Sequence, residues 1–286
     1  MTENTNPLSK YYRQPAVYIK FPSGGNYPPH VLERSPSGEY PVLPMTAKDE
    51  LAFKTPDAMM NGQATIDVIK SCIPNIKDPW QLVSYDMDTI LIAIRIASYG
   101  EKMDMNTTVP GANEQVTQSI MLPELLDRLS QVTITNSCKL KDGLEITVRP
   151  LIYRQIIESQ IRTFQQQRIY MQVQQSTTMT DDEKTQKFTD SFKMLTDLNA
   201  SLLLSNIEKI TLPDGKESVS DPAQIKAFVD NAESKLIKEI EEELAKIRLQ
   251  GSVQPIPMKA TEEQIKNGAP ATYTIPITFD NSNFFV

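Results

Sequence analysis

Helical spacing starts abruptly along this chain. Up to residue 42 no 3.6-residue period is present, and the tract FPSGGNYPPHVLERSPSGEYPVLP is cut by two Ser-Gly turns and a Pro-Pro pair. Only Val17, Ile19 and Phe21 alternate there, enough for one strand. Residues 1–42 read as an extended N-terminal arm whose aromatic and apolar content calls for packing on its own domain or on a partner. Helical patterning then begins at Thr46, which with Asp49 resembles a capping box. A short helix runs through Leu51 and Phe53 to a stop at Thr55-Pro56. Pro56 opens a second helix holding Met59 and Met60, and Gly62 ends it. Ile66, Ile69 and Cys72 fall three apart on a third helix that Pro74 stops. A fourth, Thr89 to Ser98, contains the apolar run TILIAIRIA and ends at Gly100. Residues 43–100 are thus a short-helix domain.

The period changes after Gly100. EKMDMNTTVP and SQVTITNSCKLKDGLEITVRP read as strands, with Lys141-Asp142-Gly143 as a hairpin turn. MLPELLDRL between them is helical or a tight connection. Residues 101–150 form a small β-rich insert or subdomain, and Val132, Ile134, Leu144, Ile146 and Val148 need a partner surface.

Residues 151–250 return to helical spacing. Leu151, Ile152, Ile156, Ile157, Ile161, Phe164 and Ile169 lie along one side. The glutamine-rich run IESQIRTFQQQRIYMQVQQSTTMT reads either as an exposed amphipathic helix or as one that meets a neighbour through amide hydrogen bonds. Residues 177–182 supply a loop and a new N-cap. Phe188, Phe192, Leu195, Leu198, Leu202 and Ile207 then keep helical register, which predicts the longest buried helix. An Asp-Gly turn follows, then a helix with Pro222 at its first position, a break near Asn231, and a charged helix ending at Gly251. Lys235–Glu239 and Glu242–Lys246 are placed for ion pairs on its outer face. Residues 251–286 are an extended C-terminal tail with one strand in TYTIPITF. The fold class expected is mainly α with a small β-rich insert, α+β, flanked by an arm and a tail.

Composition narrows the function. A net charge of −7, with no basic stripe, argues against binding nucleic acid. TILIAIRIA is too short to span a membrane and contains Arg95. The N-terminus has no apolar signal core, so synthesis in the cytoplasm is the simplest reading. Cys72 and Cys138 are the only cysteines and read as buried thiols rather than a disulfide. With one histidine, His30, and no Cys pair at ligand spacing, no metal site and no cofactor is expected. Asp86 and Asp88 in YDMDT could form an all-carboxylate site, but they read more simply as charges at a helix N-terminus. The glycines of FPSGGN expose backbone N–H groups, without the strand–turn–helix context of a phosphate loop. No nucleophile motif is present, so no catalytic residue is assigned.

One resemblance carries further. P-M-T-A-K-D-E, P-D-A-M-M-N-G, Cys72, Asp78-Pro79 and D-M-D-T-I-L-I-A-I-R-I-A-S-Y-G occur in an order that resembles baseplate hub subunits of T-even-like contractile-tailed bacteriophages. KLKDGLEITVRPLIYRQIIE resembles that family's hairpin and the helix it exits into. The resemblance covers residues 18–162 well and the remainder loosely. Many members carry a C-P-x-C zinc-ribbon-like pair where this chain has Val109-Pro110-Gly111-Ala112. The resemblance therefore implies a lost metal, the strands around it being held by packing or by a partner.

It also implies a structural hub subunit in the virion, bound to other hub and wedge proteins. The alternatives are a transient assembly chaperone and, from a different class, a carboxylate-dependent cell-wall hydrolase. On this reading the candidate site is an interface: Tyr11, Tyr12, Tyr18 and Phe21 in the arm, and Phe284, Phe285 and Val286 at the C-terminus. Ile66, Ile69, Leu91, Ile94 and Ile96 are expected to set stability instead.

Overall fold

A computed structural model describes residues 7–53, 62–112 and 114–277. In chain order, strands β1 (Val17–Ile19) and β2 (Tyr40–Val42) precede helices α1 (Ala47–Phe53), α2 (Gln63–Cys72) and α3 (Ser84–Tyr99). Then come β3 (Lys102–Thr108), β4 (Gln115–Met121), α4 (Leu122–Ser130), β5 (Ser137–Lys139) and β6 (Glu145–Val148). The long helices α5 (Tyr153–Gln175) and α6 (Asp181–Asn206) lead into β7 (Ile207–Thr211) and β8 (Ser218–Val219). Helices α7 (Pro222–Asn231) and α8 (Ser234–Leu249), strand β9 (Ile256–Lys259), α9 (Glu262–Lys266) and β10 (Thr272–Ile275) complete the described chain. Helix dominates and the strands lie in small separate sheets, the α+β class expected. The chain divides into two compact units: residues 1–79, 86–132 and 251–286, and residues 80–85 and 133–250.

In the first unit the apolar spacing of α2 buries Ile66, Val68, Ile69 and Cys72. Helix α3 has buried residues all round (Ile90, Leu91, Ile92, Ala93, Ile94), as a helix without a polar face must be. Of the residues expected to set stability, Ile96 is only half-buried. Arg95 is the cation inside this run, and its guanidinium lies 4.5 Å from the centre of the Tyr99 ring, one helical turn on. The Thr46–Asp49 capping box forms as expected: Thr46 N donates to Asp49 Oδ2 at 2.8 Å and Asp49 N to Thr46 Oγ1 at 3.3 Å. The helix expected from Pro56 to Gly62, with Met59 and Met60, lies outside the described residues.

The arm strand was legible, its partner was not: β1 pairs antiparallel with β2. Similarly, β3 pairs with β4 along seven residues, a hairpin strand missed because Gln115–Met121 is polar on its exposed side. MLPELLDRL is helix α4, burying Leu122, Leu125 and Leu129 at spacings of three and four. The tail contains two strands rather than one, since β10 pairs with β9.

In the second unit the sheet order is β5-β6-β7-β8. Val132 and Ile134 lie outside its strands, although both were expected in one. The partner surface needed by Ile146 and Val148 comes from β7, which follows the helical hairpin, with Ile146 opposite Ile210. The core there joins Leu140, Ile146, Val148, Ile207 and Ile210 to Ile225 of α7 and to Ile240, Leu244 and Ile247 of α8. Two expectations are corrected. Helix α6 is the longest among the described residues, but of its 26 residues only Ser191, Leu203 and Asn206 are buried. Helical spacing marks an apolar face without specifying that the chain itself covers it. Ile207 does not continue that helix; it opens β7, because IEKIT alternates and pairs with β6. On α8, Lys246 pairs with Glu243 at 2.6 Å rather than with Glu242, while Glu239 accepts from Lys141 N at 2.9 Å.

Candidate assembly surfaces

The arm is fastened by two polar clamps. Arg13 donates to Pro44 O at 2.8 Å, Ser71 O at 2.6 Å and Ser71 Oγ at 2.9 Å, with Asp49 Oδ2 at 3.5 Å. One planar guanidinium thus ties the arm to the entry of α1 and the end of α2. Asp86 makes the second clamp from the first turn of α3. It accepts from Ser23 N at 2.9 Å, Ser23 Oγ at 2.6 Å and Tyr27 OH at 2.5 Å.

Two weak sequence candidates therefore answer each other: the FPSGGN loop is occupied by a carboxyl group of the chain itself, that of Asp86. Burial raises the Asp86 pKa, and these donors partly oppose the rise. Its neighbour Asp88 accepts from Val253 N at 2.8 Å, and burial pushes it up to about 6. Each acid is occupied within the fold, one by the arm and one by the chain entering β9. Cys72 is pushed up to about 12 by burial and by Asp49, which leaves an inert thiol. Both cysteines are free.

The turn Val109-Pro110-Gly111-Ala112 is held by packing. Val109 is fully buried against Ala269, Tyr273 and Ile275, and Ala112 and Met105 close the cluster. Gly111 has φ +81°, and a Cβ there would lie 2.3 Å from Gly268 O, so the two turns touch backbone to backbone. Val109 and Ala112 carry no donor atom, so the pair does not fit a metal. Among the described residues no group of three His, Cys, Asp or Glu is placed to hold one.

Among the described residues, several large aromatic and apolar side chains stand uncovered. In the arm, Tyr11, Tyr12 and Tyr18 are 74%, 58% and 59% exposed. Phe21 is buried, its ring 4.7 Å from Tyr40 and edge-on to Tyr27 at 6.3 Å. It holds the arm together from within. Phe284, Phe285 and Val286 lie outside the described residues. Further apolar exposure among the described residues falls on the glutamine-rich helix, for which the sequence left exposure and contact with a neighbour both open, and on the helix after it, which was expected to be buried. These are the α5–α6 hairpin, where Phe164, Tyr170 and Met171 of α5 and Phe192 and Met194 of α6 are exposed. In the first unit, a concavity of about 290 Å³ lies beside β4 and α4, its wall including Leu125, Arg128, Met258 and Ile275.

The family model described as T4 bacteriophage base plate protein matches residues 27–259. The chain belongs to that family. Among curated proteins and among solved structures, nothing matches. The matched span takes in both compact units. As a T4-type baseplate protein the chain belongs in the phage tail baseplate of the virion, a structural setting in which its neighbours are other baseplate proteins. The uncovered tyrosines and the apolar hairpin are the surfaces this chain leaves exposed, and the buried acids are engaged within its own fold. No described helix is long and apolar enough to cross a membrane.

Proposed function

We propose that this protein is a structural subunit of the central hub of a contractile tail baseplate, acting through protein contacts rather than catalysis. The observation that carries the reading is the distribution of polar groups. The acids that sequence alone offers as an active site are engaged by Ser23, Tyr27 and Val253 of the same chain. The exposed groups that need an explanation are aromatic and apolar. A cell-wall hydrolase needs two carboxylates converging on a cleft, and Asp86 and Asp88 are each turned to a separate segment of their own fold. Hub and wedge proteins are the partners proposed, with Tyr11, Tyr12, Tyr18 and the C-terminal Phe284, Phe285 and Val286 among the contacts.

The test is a quantitative protein inventory of purified tails. A small fixed ratio to the tube and hub subunits supports a permanent hub component. Presence in assembly intermediates and absence from finished tails refutes it in favour of a chaperone. Removal of residues 281–286 is expected to lower incorporation while the remaining fold keeps its melting behaviour; normal incorporation would count against a role for the tail.

A further inference from the structure

The α5–α6 hairpin is under-packed for its length. Helices in proteins are stabilised chiefly by burying one face, yet α5 buries only Gln166 and Val173 in 23 residues. Between the two helices lies an open groove of about 460 Å³, lined by Gln166, Tyr170, Met171, Ser191, Phe192 and Leu195. Its walls follow helical spacing: Gln166, Tyr170 and Met171 on one side, Ser191, Phe192 and Leu195 on the other. One polar group in it is unsatisfied. Gln166 is 7% exposed, its Nε2 meets Met194 Sδ at 3.4 Å, and its Oε1 is buried without a donor. A buried acceptor left so costs about 1–3 kcal/mol.

We propose that this face is covered by the same hairpin of a second copy of the chain, the two forming an antiparallel four-helix bundle with its two-fold axis along the helices. Charge selects the occupant. Helix α5 carries Arg154, Arg162 and Arg168 against Glu158 alone, a net charge of +2. Helix α6 carries Asp181, Asp182, Glu183, Asp190 and Asp197 against Lys184, Lys187 and Lys193, a net charge of −2.

With the axis along the bundle, each α5 lies between two copies of α6, so every neighbour is antiparallel and opposite in sign. The Gln166 side chains then stand at one height on either side of the axis. Area agrees as well. A 23-residue helix is about 34 Å long and a helix pair about 20 Å wide. One face therefore contributes roughly 700 Å² per copy, within the range of stable interfaces.

The full chain is examined by sedimentation velocity up to about 100 µM, since interfaces of this size span micromolar to picomolar affinity. The wild type is expected to sediment as a dimer, and Phe192→Glu and Met171→Glu as monomers. Both side chains are exposed, so circular dichroism should be unchanged in the variants, and their melting temperature should be independent of concentration while that of the wild type rises with it, which separates lost association from lost folding. A photo-crosslinking phenylalanine analogue at position 192 is expected to label α5 or α6 of an isotopically distinguished second copy. A wild-type monomer throughout this range overturns the proposal and leaves the groove to a different baseplate protein. So does a dimer that survives both variants, or cross-links that map outside the hairpin.

Discussion

Asp88→Asn should stabilise this protein at neutral pH and do nothing for it in acid. The carboxylate accepts one hydrogen bond, from Val253 N at 2.8 Å, and burial pushes its pKa up to about 6 from 3.8. A raised carboxylate pKa means the folded state holds its proton more tightly than the unfolded chain. Its contribution is fully present below about pH 4 and lost as pH rises through about 6. The rise corresponds to about 3 kcal/mol at most. Asparagine keeps an oxygen for Val253 N and never ionises, so the variant escapes that loss. About 3 kcal/mol corresponds to roughly 6–12 °C in melting temperature for a chain of this size. Differential scanning calorimetry at pH 7.5 and pH 3.5 reads the effect. The variant should melt higher at pH 7.5 and together with the wild type at pH 3.5. Asp88→Ala also escapes the ionisation loss but orphans the Val253 N–H, so it should be less stable than Asp88→Asn at both by about 1–3 kcal/mol. An asparagine variant less stable than wild type at pH 7.5 would refute the reasoning, because ionised Asp88 would then be favourable in the fold.

Three further outcomes follow from the same geometry. Gly111→Ala should cost several times as much stability in urea unfolding as Gly215→Ala. Both residues have positive φ, which costs about 1–2 kcal/mol for alanine, but Gly111 alone faces a backbone oxygen at 2.3 Å while Gly215 faces open space. Arg13→Lys should loosen the arm nearly as much as Arg13→Ala, because one ammonium cannot serve Pro44 O, Ser71 O and Ser71 Oγ in a fixed plane; limited proteolysis between residues 14 and 40 reads it. Under native conditions at pH 8, Cys138 should react with a thiol reagent before Cys72, which burial and Asp49 hold at about 12.

The elements legible in sequence were those whose signals are local. The Thr46–Asp49 capping box needs only four residues to be recognised, and so do Asp221-Pro222 and Lys141-Asp142-Gly143. What escaped was pairing across long separations. β7 is unremarkable as IEKIT until Ile146 stands opposite Ile210, and β2 has only three residues, one of them Pro41. The same limit governed burial. Phe188, Phe192, Leu195 and Leu198 keep perfect helical register, yet Phe192 is 63% exposed. Register is written in one segment; the layer that covers it is not. Val109 shows the converse, since no period surrounds it and it is fully buried through Ala269 and Tyr273, far away in sequence.

The same distinction bears on how an assembly subunit is built. A catalytic fold keeps some ionisable groups under-satisfied at a cleft so that substrate or solvent can complete them. Here Asp86, Asp49 and Arg13 are completed by the chain, and each lies where the arm meets the body. Their polar energy goes into fixing the arm, whose Tyr11, Tyr12 and Tyr18 are then presented outward from a fastened base. Rigid presentation matters because an unfastened arm would lose more conformational entropy on docking. On the role proposed above, the clamps account for why buried polar pairs and exposed aromatic side chains occur together at the arm: the first fixes the geometry in which a partner would meet the second.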